Sequence, residues 1–562
     1  MTDDYRELPG NAHDDDADRL VKRREVSYDG GAGVEVAEAT AEATAKRQRC
    51  VLKGLYFVQT GAAAGLVKFL PVYLESMVGL SPTQIGAMLV MGQVTNFCGG
   101  LFWGRAADVT GRYKLTMVVT NVFATIFAVG LAAPWVRNGH GLSGVLVLTF
   151  ILQAFFGSCW GTLVDAVAVI GTGAGSGSGG YGRLRLWAAV GWGSCAVVSG
   201  WLIDAAGIGS IFVSFGAGMG VSSLLVLLFF SDPKRKGGDD ESRQISTKAE
   251  DRRSGGGGGE EDHETAVAEE EEVIEEERKI IEDKERGGGG EGSSAELGSI
   301  LLRAEVVLLL LNLFLQGTLV AFVESFLYVY LDEVYACPGF FLGLCTFVAA
   351  VFELPVFYYA EAIIARVGVK GILTFAQFLY ATRVWCYTVI PKSDVNVCSL
   401  VGGSCPVKGY WFFLLLEPSH AFVFAAMWSA AVEYSRVLAP ERHQGIMQAL
   451  TRGVYYFIGN GCGSVLGGVL IDSRSDRADG YHFMYHFGAI AMVGWSFTWH
   501  ALMKIANKAG CESSISGNGD QSSKGDPPTV NAVLSSSNNI SASPLIDPED
   551  RHYGDGYGDG DD

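Results

Sequence analysis

The chain has 562 residues, of which 49% are hydrophobic and 18% are charged, and its formal net charge is −19. The acidic excess is confined to residues 1–50, 232–298 and 507–562, which together carry −22, so the other 389 positions carry only +3. Those positions are too apolar to give a soluble fold a polar surface, which excludes a soluble enzyme, a disulfide scaffold and a nucleic-acid binder.

The first stretch, residues 1–50, is polar and acidic. It lacks an apolar run followed by a small-residue cleavage site, so we expect no cleavable signal peptide. The first transmembrane helix then serves as the insertion signal. We expect the stretch itself to be a disordered cytoplasmic tail.

Apolar windows of membrane-spanning length recur twelve times. A bilayer core about 30 Å thick needs roughly 20 apolar residues per helix. Six windows precede the acidic insert and six follow it, which predicts an all-α, polytopic membrane protein with pseudo-symmetric six-helix bundles at 51–231 and 299–506. The predicted spans are 51–74, 84–104, 115–135, 143–170, 184–206, 211–231, 301–331, 338–366, 369–391, 409–438, 444–471 and 482–506.

Three of these windows, 143–170, 338–366 and 409–438, are longer than a perpendicular span. Tilt of the helix, or its extension beyond the membrane, absorbs such an excess. We therefore predict one helix in each window.

The insert at 232–298 is acidic and rich in glycine, as is typical of a flexible linker. Its charged run is either a solvated tether or a helix that docks on a partner. Residues 507–562 are expected to form a disordered, acidic tail.

Positive charge near the helix ends sets the orientation. Short loops on the side of the N-terminus hold twelve Lys and Arg residues, against five on the opposite side. We therefore expect both termini and the linker to be cytoplasmic, and either the plasma membrane or an internal membrane to hold the protein.

Two of the eleven cysteines, Cys398 and Cys405, lie in a loop predicted to face outside. They are the pair best placed for a disulfide. Cys337, at another outer helix end, competes for the same pairing.

A motif lies between the second and third predicted helices. It reads Gly104-Arg-Ala-Ala-Asp108-Val-Thr-Gly111-Arg112-Tyr-Lys114. Its glycines allow a tight turn, and Asp108 can pair with a cation or cap a helix. The motif resembles the loop signature of the major facilitator superfamily, with Tyr113 where a second basic residue is usual and Lys114 as its substitute.

Further stretches in both halves resemble the branch of "major facilitator superfamily domain-containing protein six"-like proteins, which is similar to bacterial lactose, nucleoside and phenylpropionate proton symporters. They include Gly182-Arg183-Leu-Arg185-Leu-Trp187, Glu353-Leu-Pro355, and Glu417 with His420. The resemblance implies two bundles around a central cavity that opens alternately to each side. Secondary transporters are commonly built from such repeats.

Ionisable residues within the predicted spans are candidates for function, because each costs about 2.5–3.5 kcal/mol or more at the bilayer centre. The second half holds a cluster of five of them, in helices 7 to 10: Glu324, Glu353, Arg383, Glu417 and His420. Glu417 and His420 are three residues apart and share a helix face. The set resembles the coupling centre of proton-driven sugar symporters.

Such a set is suited to proton coupling, because a nearby cation favours the ionised carboxylate. Movement of Arg383 toward or away from Glu353 would release or load a proton. The alternative is a fixed Glu353–Arg383 pair that only holds helices 8 and 9 together. Independently of that pair, His420 is either a member of the coupling set or a satisfied core histidine.

Outside this set, Lys68 in helix 1 either attracts an anionic group of a solute or extends to the outer interface. The expected cytoplasmic gate comprises the loop residues Gly104, Asp108, Gly111 and Arg112, with Asp165, Arg185, Glu433 and Arg452.

The sequence thus predicts a secondary transporter for a small polar or anionic organic solute, coupled to protons, monomeric in the bilayer and independent of nucleic acid. We expect no enzymatic activity, cofactor or metal, since nucleotide-loop, catalytic-triad and metal-ligand patterns are missing from the sequence. Two alternatives stay open: a uniporter without proton coupling, and a non-transporting receptor or scaffold whose acidic segments recruit partners.

Overall fold

The computed structural model describes residues 46–137, 143–158, 161, 163–165, 168, 179–230, 298–396, 406–440 and 443–516, apart from the side chains of 179–183, 185 and 507–516. Twelve long helices follow one another in these ranges: α1 (Lys46–Ser76), α2 (Pro82–Thr110), α3 (Tyr113–Leu131), α4 (Gly144–Gly157), α5 (Gly179–Ala206), α6 (Ser210–Phe229), α7 (Ala304–Tyr335), α8 (Gly339–Tyr358), α9 (Val369–Val389), α10 (Trp411–Leu438), α11 (Gln444–Asp472) and α12 (Arg477–Ser516).

Nine helices in the described ranges are long and apolar enough to cross a membrane. A tenth is added when α9 is counted together with the short helix Ala360–Val367, to which it is joined at an angle of 101°. The all-α, polytopic fold predicted from hydropathy is therefore confirmed. α4 has 14 residues in its described part, and α12 has 40.

The structure corrects several predicted boundaries. α2 continues to Thr110 rather than ending at 104, and α5 begins at Gly179 rather than at 184. α1 begins at Lys46 rather than at 51, and α12 continues to Ser516 rather than ending at 506. Helix elongation is cooperative, so polar residues without a proline extend a helix that is already formed. The window 338–366 is not one helix, because α8 ends at Tyr358 and a separate short helix follows it.

Short turns connect α2 to the helices before and after it. Ser81 and Gln84 form a capping box at the start of α2, in which each side chain accepts the backbone N–H of the other residue. Gly111 ends α2 with a φ of 66°, a conformation that glycine adopts at no steric cost. The predicted tight turn before α3 is therefore confirmed at Gly111, whereas Gly104 lies inside α2.

We call residues 46–230 the first half and residues 298–516 the second half. The terminal end is the side on which α1 begins and α12 ends. The distal end is the opposite side, with the turns at 77–81, 207–209, 336–338 and 473–476. A short antiparallel pair, β1 (Val395–Asn396) and β2 (Pro406–Val407), also lies at the distal end.

The apolar core is continuous at the distal end and divided at the terminal end. One cluster combines buried residues of both halves, among them Phe69, Tyr73, Phe326 and Tyr330. Two other clusters each belong to one half: one contains Leu52 and Leu163, and the other contains Met427 and Trp499. The halves therefore pack together at the distal end and separate toward the termini.

Candidate functional site

The six residues predicted as coupling or substrate candidates lie together between the two halves. Lys68 comes from α1, Glu324 from α7, Glu353 from α8, Arg383 from α9, and Glu417 and His420 from α10. They form one connected set of ion pairs and hydrogen bonds. We call it the charged network.

Lys68 and Glu324 connect the two halves. The Lys68 Nζ lies 2.5 Å from the Glu324 Oε2, and the side chains are 17% and 29% exposed. The lysine therefore ends on a carboxylate of the other half rather than extending to the outer interface. A ring contact one residue along α1, between Phe69 and Tyr328, also crosses from the first half to the second.

His420 contacts three of the other five residues of the network. Its Nδ1 lies 2.8 Å from an Arg383 N–H group, and its Nε2 lies 3.3 Å from Glu353 Oε1 and 3.7 Å from Glu324 Oε1. Arginine has only donors, so Nδ1 must accept and the proton of a neutral ring is on Nε2. That N–H points toward the two carboxylates, so His420 joins the cation to both of them.

Arg383 pairs with Glu417, whereas the sequence interpretation paired it with Glu353. One guanidinium nitrogen lies 2.9 Å from Glu417 Oε2, and the two residues are only 3% and 4% exposed. The correction has a geometric cause. Glu417 lies three residues before His420, and the shared helix face presents both to the same guanidinium.

Prolines lie inside two of the helices that carry these groups, α8 and α10. Pro355 lies inside α8, two residues after Glu353, and Pro418 lies between Glu417 and His420. Proline has no backbone N–H to complete the helical ladder. In α10 a π-helical turn, Ala421–Ala426, follows His420 directly. Such turns occur often at functional sites, and here the turn sets the direction in which the side chains of α10 project.

Tyr387 was missed by the sequence interpretation. Its hydroxyl accepts a hydrogen bond of 2.5 Å from Arg383 Nε. Tyr387 lies one helical turn after Arg383, so the four-residue spacing on α9 was the signal that pointed to it. Tyr387, His420 and Glu417 each accept a hydrogen bond from a different nitrogen of the guanidinium. Together they fix the orientation of Arg383.

The predicted gate residues are only partly brought together. The Tyr113 hydroxyl donates to Asp108, so the residue that departs from the family motif supports the motif's carboxylate. The Tyr56 hydroxyl donates to Asp165 over 2.6 Å. Glu433 forms its ion pair with Arg436 rather than with Arg452. Arg112 lies between Gly111 and the first residue of α3. The side chain of Arg185 is outside the described residues.

A cavity of about 510 Å³ lies in the half of the molecule nearer the termini. Both halves contribute to its lining, which includes Tyr56, Gln59, Asp165, Arg452 and Phe457. Asp165 and Arg452 therefore line the same opening from different halves. A gate pair between them would require the terminal end to close.

The predicted disulfide between Cys398 and Cys405 lies outside the described residues. Its competitor, Cys337, is a buried free thiol. Burial raises the pKa of the Cys337 thiol, and the thiolate is the form that reacts. The pairing of Cys398 with Cys405 stays a prediction.

The charged network lies between two halves of a helical fold, and comparison with known proteins identifies the family to which this fold belongs. A family model described as "MFS_1 like family" matches residues 50–483. The chain belongs to this family of major facilitator superfamily transporters. It is therefore an integral, multi-pass membrane transporter, as the loop motif indicated.

Known relatives agree with this assignment. Over 171 residues the chain is 28% identical to the maltose permease of Geobacillus stearothermophilus, a match that covers 30% of this chain and 41% of the permease. The chain thus spans less than half the length of that curated relative.

Solved structures show the same fold. The nucleoside transporter NupG aligns with a TM-score of 0.57 at 13% identity, covering 81% of this chain and 99% of NupG. A bacterial homologue of the human lysosomal transporter Spinster, solved in an inward-facing and unoccupied conformation, aligns with a TM-score of 0.55 at 14% identity, covering 83% of this chain and 97% of the homologue.

Proposed function

We propose that the protein is a secondary active transporter that carries a small polar or anionic organic solute by alternating access, coupled to protons as a symporter. The two bundles are residues 51–231 and 299–506, and the acidic linker at 232–298 connects them. Both termini lie in the cytoplasm, so the structure represents a state open to the cytoplasm and closed at the distal, outer end.

The observation that carries this proposal is the ion pair between Lys68 and Glu324, which joins the moving halves inside the charged network. When the halves rearrange, Lys68 separates from Glu324. A carboxylate that loses its cation in a poorly solvated site takes up a proton more readily. The change of conformation thus changes how many protons the site holds.

The charge balance of the network supports proton binding. Its three carboxylates, Glu324, Glu353 and Glu417, face two cations, Lys68 and Arg383, while His420 is neutral in the tautomer described above. With every carboxylate ionised the site has a net charge of −1. An unbalanced charge is costly at membrane depth, so one proton makes the site neutral.

Glu353 is the best candidate to carry that proton. Glu324 has Lys68 as its counter-charge, and Glu417 has Arg383. Glu353 contacts the neutral His420, whose Nε2 is 3.3 Å away. Glu353 therefore exchanges its proton with the cytoplasm in this state, while the two ion pairs are intact, and holds the proton more tightly once Lys68 moves away.

The ion pair between Lys68 and Glu324 is partly exposed, so it also provides a place where a solute can bind. An anionic group of a solute would take the place of Glu324 on Lys68, and hydroxyl groups would bond to the carboxylates. The names of the similar proteins suggest nucleosides and maltose for a first panel. The polar and charged side chains of the network add other sugars, carboxylates and amines to it.

The first experiment is a thermal-shift screen of the purified protein against this panel at two pH values. A ligand that binds only the folded state adds about 2.7 kcal/mol of stability at a concentration one hundred times its Kd. Uptake of the identified solute into proteoliposomes then tests transport, with Glu353→Gln and Arg383→Ala as site variants. Wild-type uptake by both variants would contradict the coupling assignment.

The same assays discriminate the two alternatives. A uniporter would take up the solute at a rate that does not respond to a pH gradient. A receptor or scaffold would bind no solute of the panel and catalyse no uptake.

A further inference from the structure

A short sequence repeat marks the distal ends of two helices. α5 carries Gly200-Trp-Leu-Ile-Asp204 in its last turns, two residues before its end at Ala206, and α11 ends with Gly468-Val-Leu-Ile-Asp472. The fifth helix of the first half and the fifth helix of the second half are equivalent in a two-bundle fold. Each repeat therefore places one carboxylate at the same position of its own half.

Asp204 binds the start of a helix in the other half. Its Oδ1 accepts the Gly339 backbone N–H over 2.6 Å, and its Oδ2 accepts that of Phe340 over 2.8 Å. These N–H groups belong to the first turn of α8, whose own N-cap residue, Pro338, forms no side-chain cap. Asp204 thus satisfies donors that α8 leaves unpaired.

Asp472 makes the equivalent contact in the opposite direction. Its Oδ2 accepts the backbone N–H of Thr83, in the first turn of α2, over 2.9 Å. Its Oδ1 accepts from the Arg477 side chain, also over 2.9 Å. Each half therefore supplies one aspartate, and each receives one at the N-terminus of its second helix.

The glycines of the repeat let the helices approach closely enough for these bonds. A Cβ on Gly200 would lie 2.1 Å from the Gly339 carbonyl oxygen, and a Cβ on Gly468 would lie 2.4 Å from the Pro82 carbonyl oxygen. Side chains at either position would separate the helices. The repeat thus combines close backbone contact with a charged cap one turn later.

We propose that Asp204 and Asp472 are paired latches that hold the distal end of the transporter closed. A carboxylate at a helix N-terminus is stabilised by the helix dipole and by the exposed N–H groups. Opening of the distal end separates α5 from α8 and α2 from α11, so both carboxylates lose these partners together. The proposal rests on the alternating access proposed above, but not on the solute or on proton coupling.

Hydrogen–deuterium exchange of the purified, full-length protein tests this directly, because the capped N–H groups are themselves the readout. Peptides covering 334–345 and 78–90 report the starts of α8 and α2. Asp204→Ala and Asp472→Ala are compared with Asp394→Ala, which removes an exposed carboxylate in the loop before β1.

If both latches act on the same opening of the distal end, the loss of either one should change the exchange rate at both helix starts. Either single variant is expected to speed exchange by about tenfold at both helix starts, and the double variant by about a hundredfold, as follows from roughly 1.4 kcal/mol for each independent latch. Asp394→Ala should exchange at the wild-type rate.

Two results would overturn the proposal: faster exchange only at the helix that each aspartate caps, which would make the residues local caps, or no change at either helix. If an alanine variant does not fold, Asp→Asn keeps an acceptor oxygen without the charge and should give the same two-site pattern at smaller amplitude. The assay contains no solute and no proton gradient, so its outcome is independent of the transport assignment.

Discussion

The ammonium group of Lys68 on α1 lies 2.5 Å from the carboxylate of Glu324 on α7, and this ion pair joins the two halves of the transporter. Glu324 also faces His420, which contacts Glu353 and Arg383. A movement of one half against the other therefore changes the electrostatic surroundings of the charged network.

The first prediction concerns the stability of this ion pair. Lys68→Ala leaves Glu324 without its cation, and removing one partner of a fully buried pair costs about 3–5 kcal/mol. Since the side chains are 17% and 29% exposed, we expect a loss of about 1–3 kcal/mol. Thermal unfolding of the purified variants measures it.

Glu324→Gln in the Lys68→Ala background should recover part of that loss, because no charge is then left unpaired. A double variant whose loss equals the sum of the two single losses would show that the two side chains do not interact.

The second prediction concerns Glu353. Because this carboxyl carries the proton in our proposal, Glu353→Gln mimics its neutral form permanently. Uptake driven by a pH gradient should fall to the rate seen without a gradient, while solute binding persists. Glu361→Gln, in the short helix after α8, is the control. A Glu353→Gln protein that still responds to the gradient would refute the assignment.

The third prediction compares a buried ion pair with an exposed one. Arg383→Ala leaves Glu417 buried and unpaired, which should cost about 3–5 kcal/mol. Arg436→Ala breaks the pair with Glu433, whose side chains are 53% and 34% exposed, and should cost about 0–1 kcal/mol. Equal losses in chemical or thermal unfolding would mean that the Arg383 pair contributes no more than a surface pair.

Replacing Arg383 with lysine tests its geometry. Lys keeps the charge but lacks the planar fork that serves Tyr387, His420 and Glu417 together. We expect Arg383→Lys to fold and to transport with an altered pH profile. A profile identical to that of the wild type would show that charge alone suffices.

Much of the fold was predictable because membrane helices satisfy their own backbone hydrogen bonds, so apolar length alone identifies them. The members of the charged network were predictable for the same reason, since ionisable residues stand out in an apolar span. Gly111 was recognisable because a tight turn favours glycine.

The pairing within the network was not predictable. Whether Arg383 meets Glu353 or Glu417 depends on how α10 is rotated, and the π-helical turn after His420 sets that rotation. The partner of Lys68 lies 256 residues away in sequence, and hydropathy carries no information about such contacts. The separation of α8 from the next helix was also missed, because both segments are apolar.

The fourth prediction concerns close helix packing at the distal end. A Cβ on Gly86 in α2 would lie 2.2 Å from the Ser464 carbonyl oxygen on α11. Gly86→Ala should therefore destabilise the closed distal end by about 1–3 kcal/mol, detected as faster deuterium exchange at the starts of α2 and α8. Gly144→Ala, with open space around the added atom, should leave exchange unchanged. Equal behaviour of the two variants would argue against tight packing at Gly86.

The most direct test of proton-coupled transport is the pH inside proteoliposomes that contain the purified protein and a trapped pH indicator. Addition of the solute identified by the binding screen should acidify the lumen with the wild-type protein and leave it unchanged with Glu353→Gln. Solute accumulation by the wild-type protein without acidification would contradict proton symport and would support a uniporter instead.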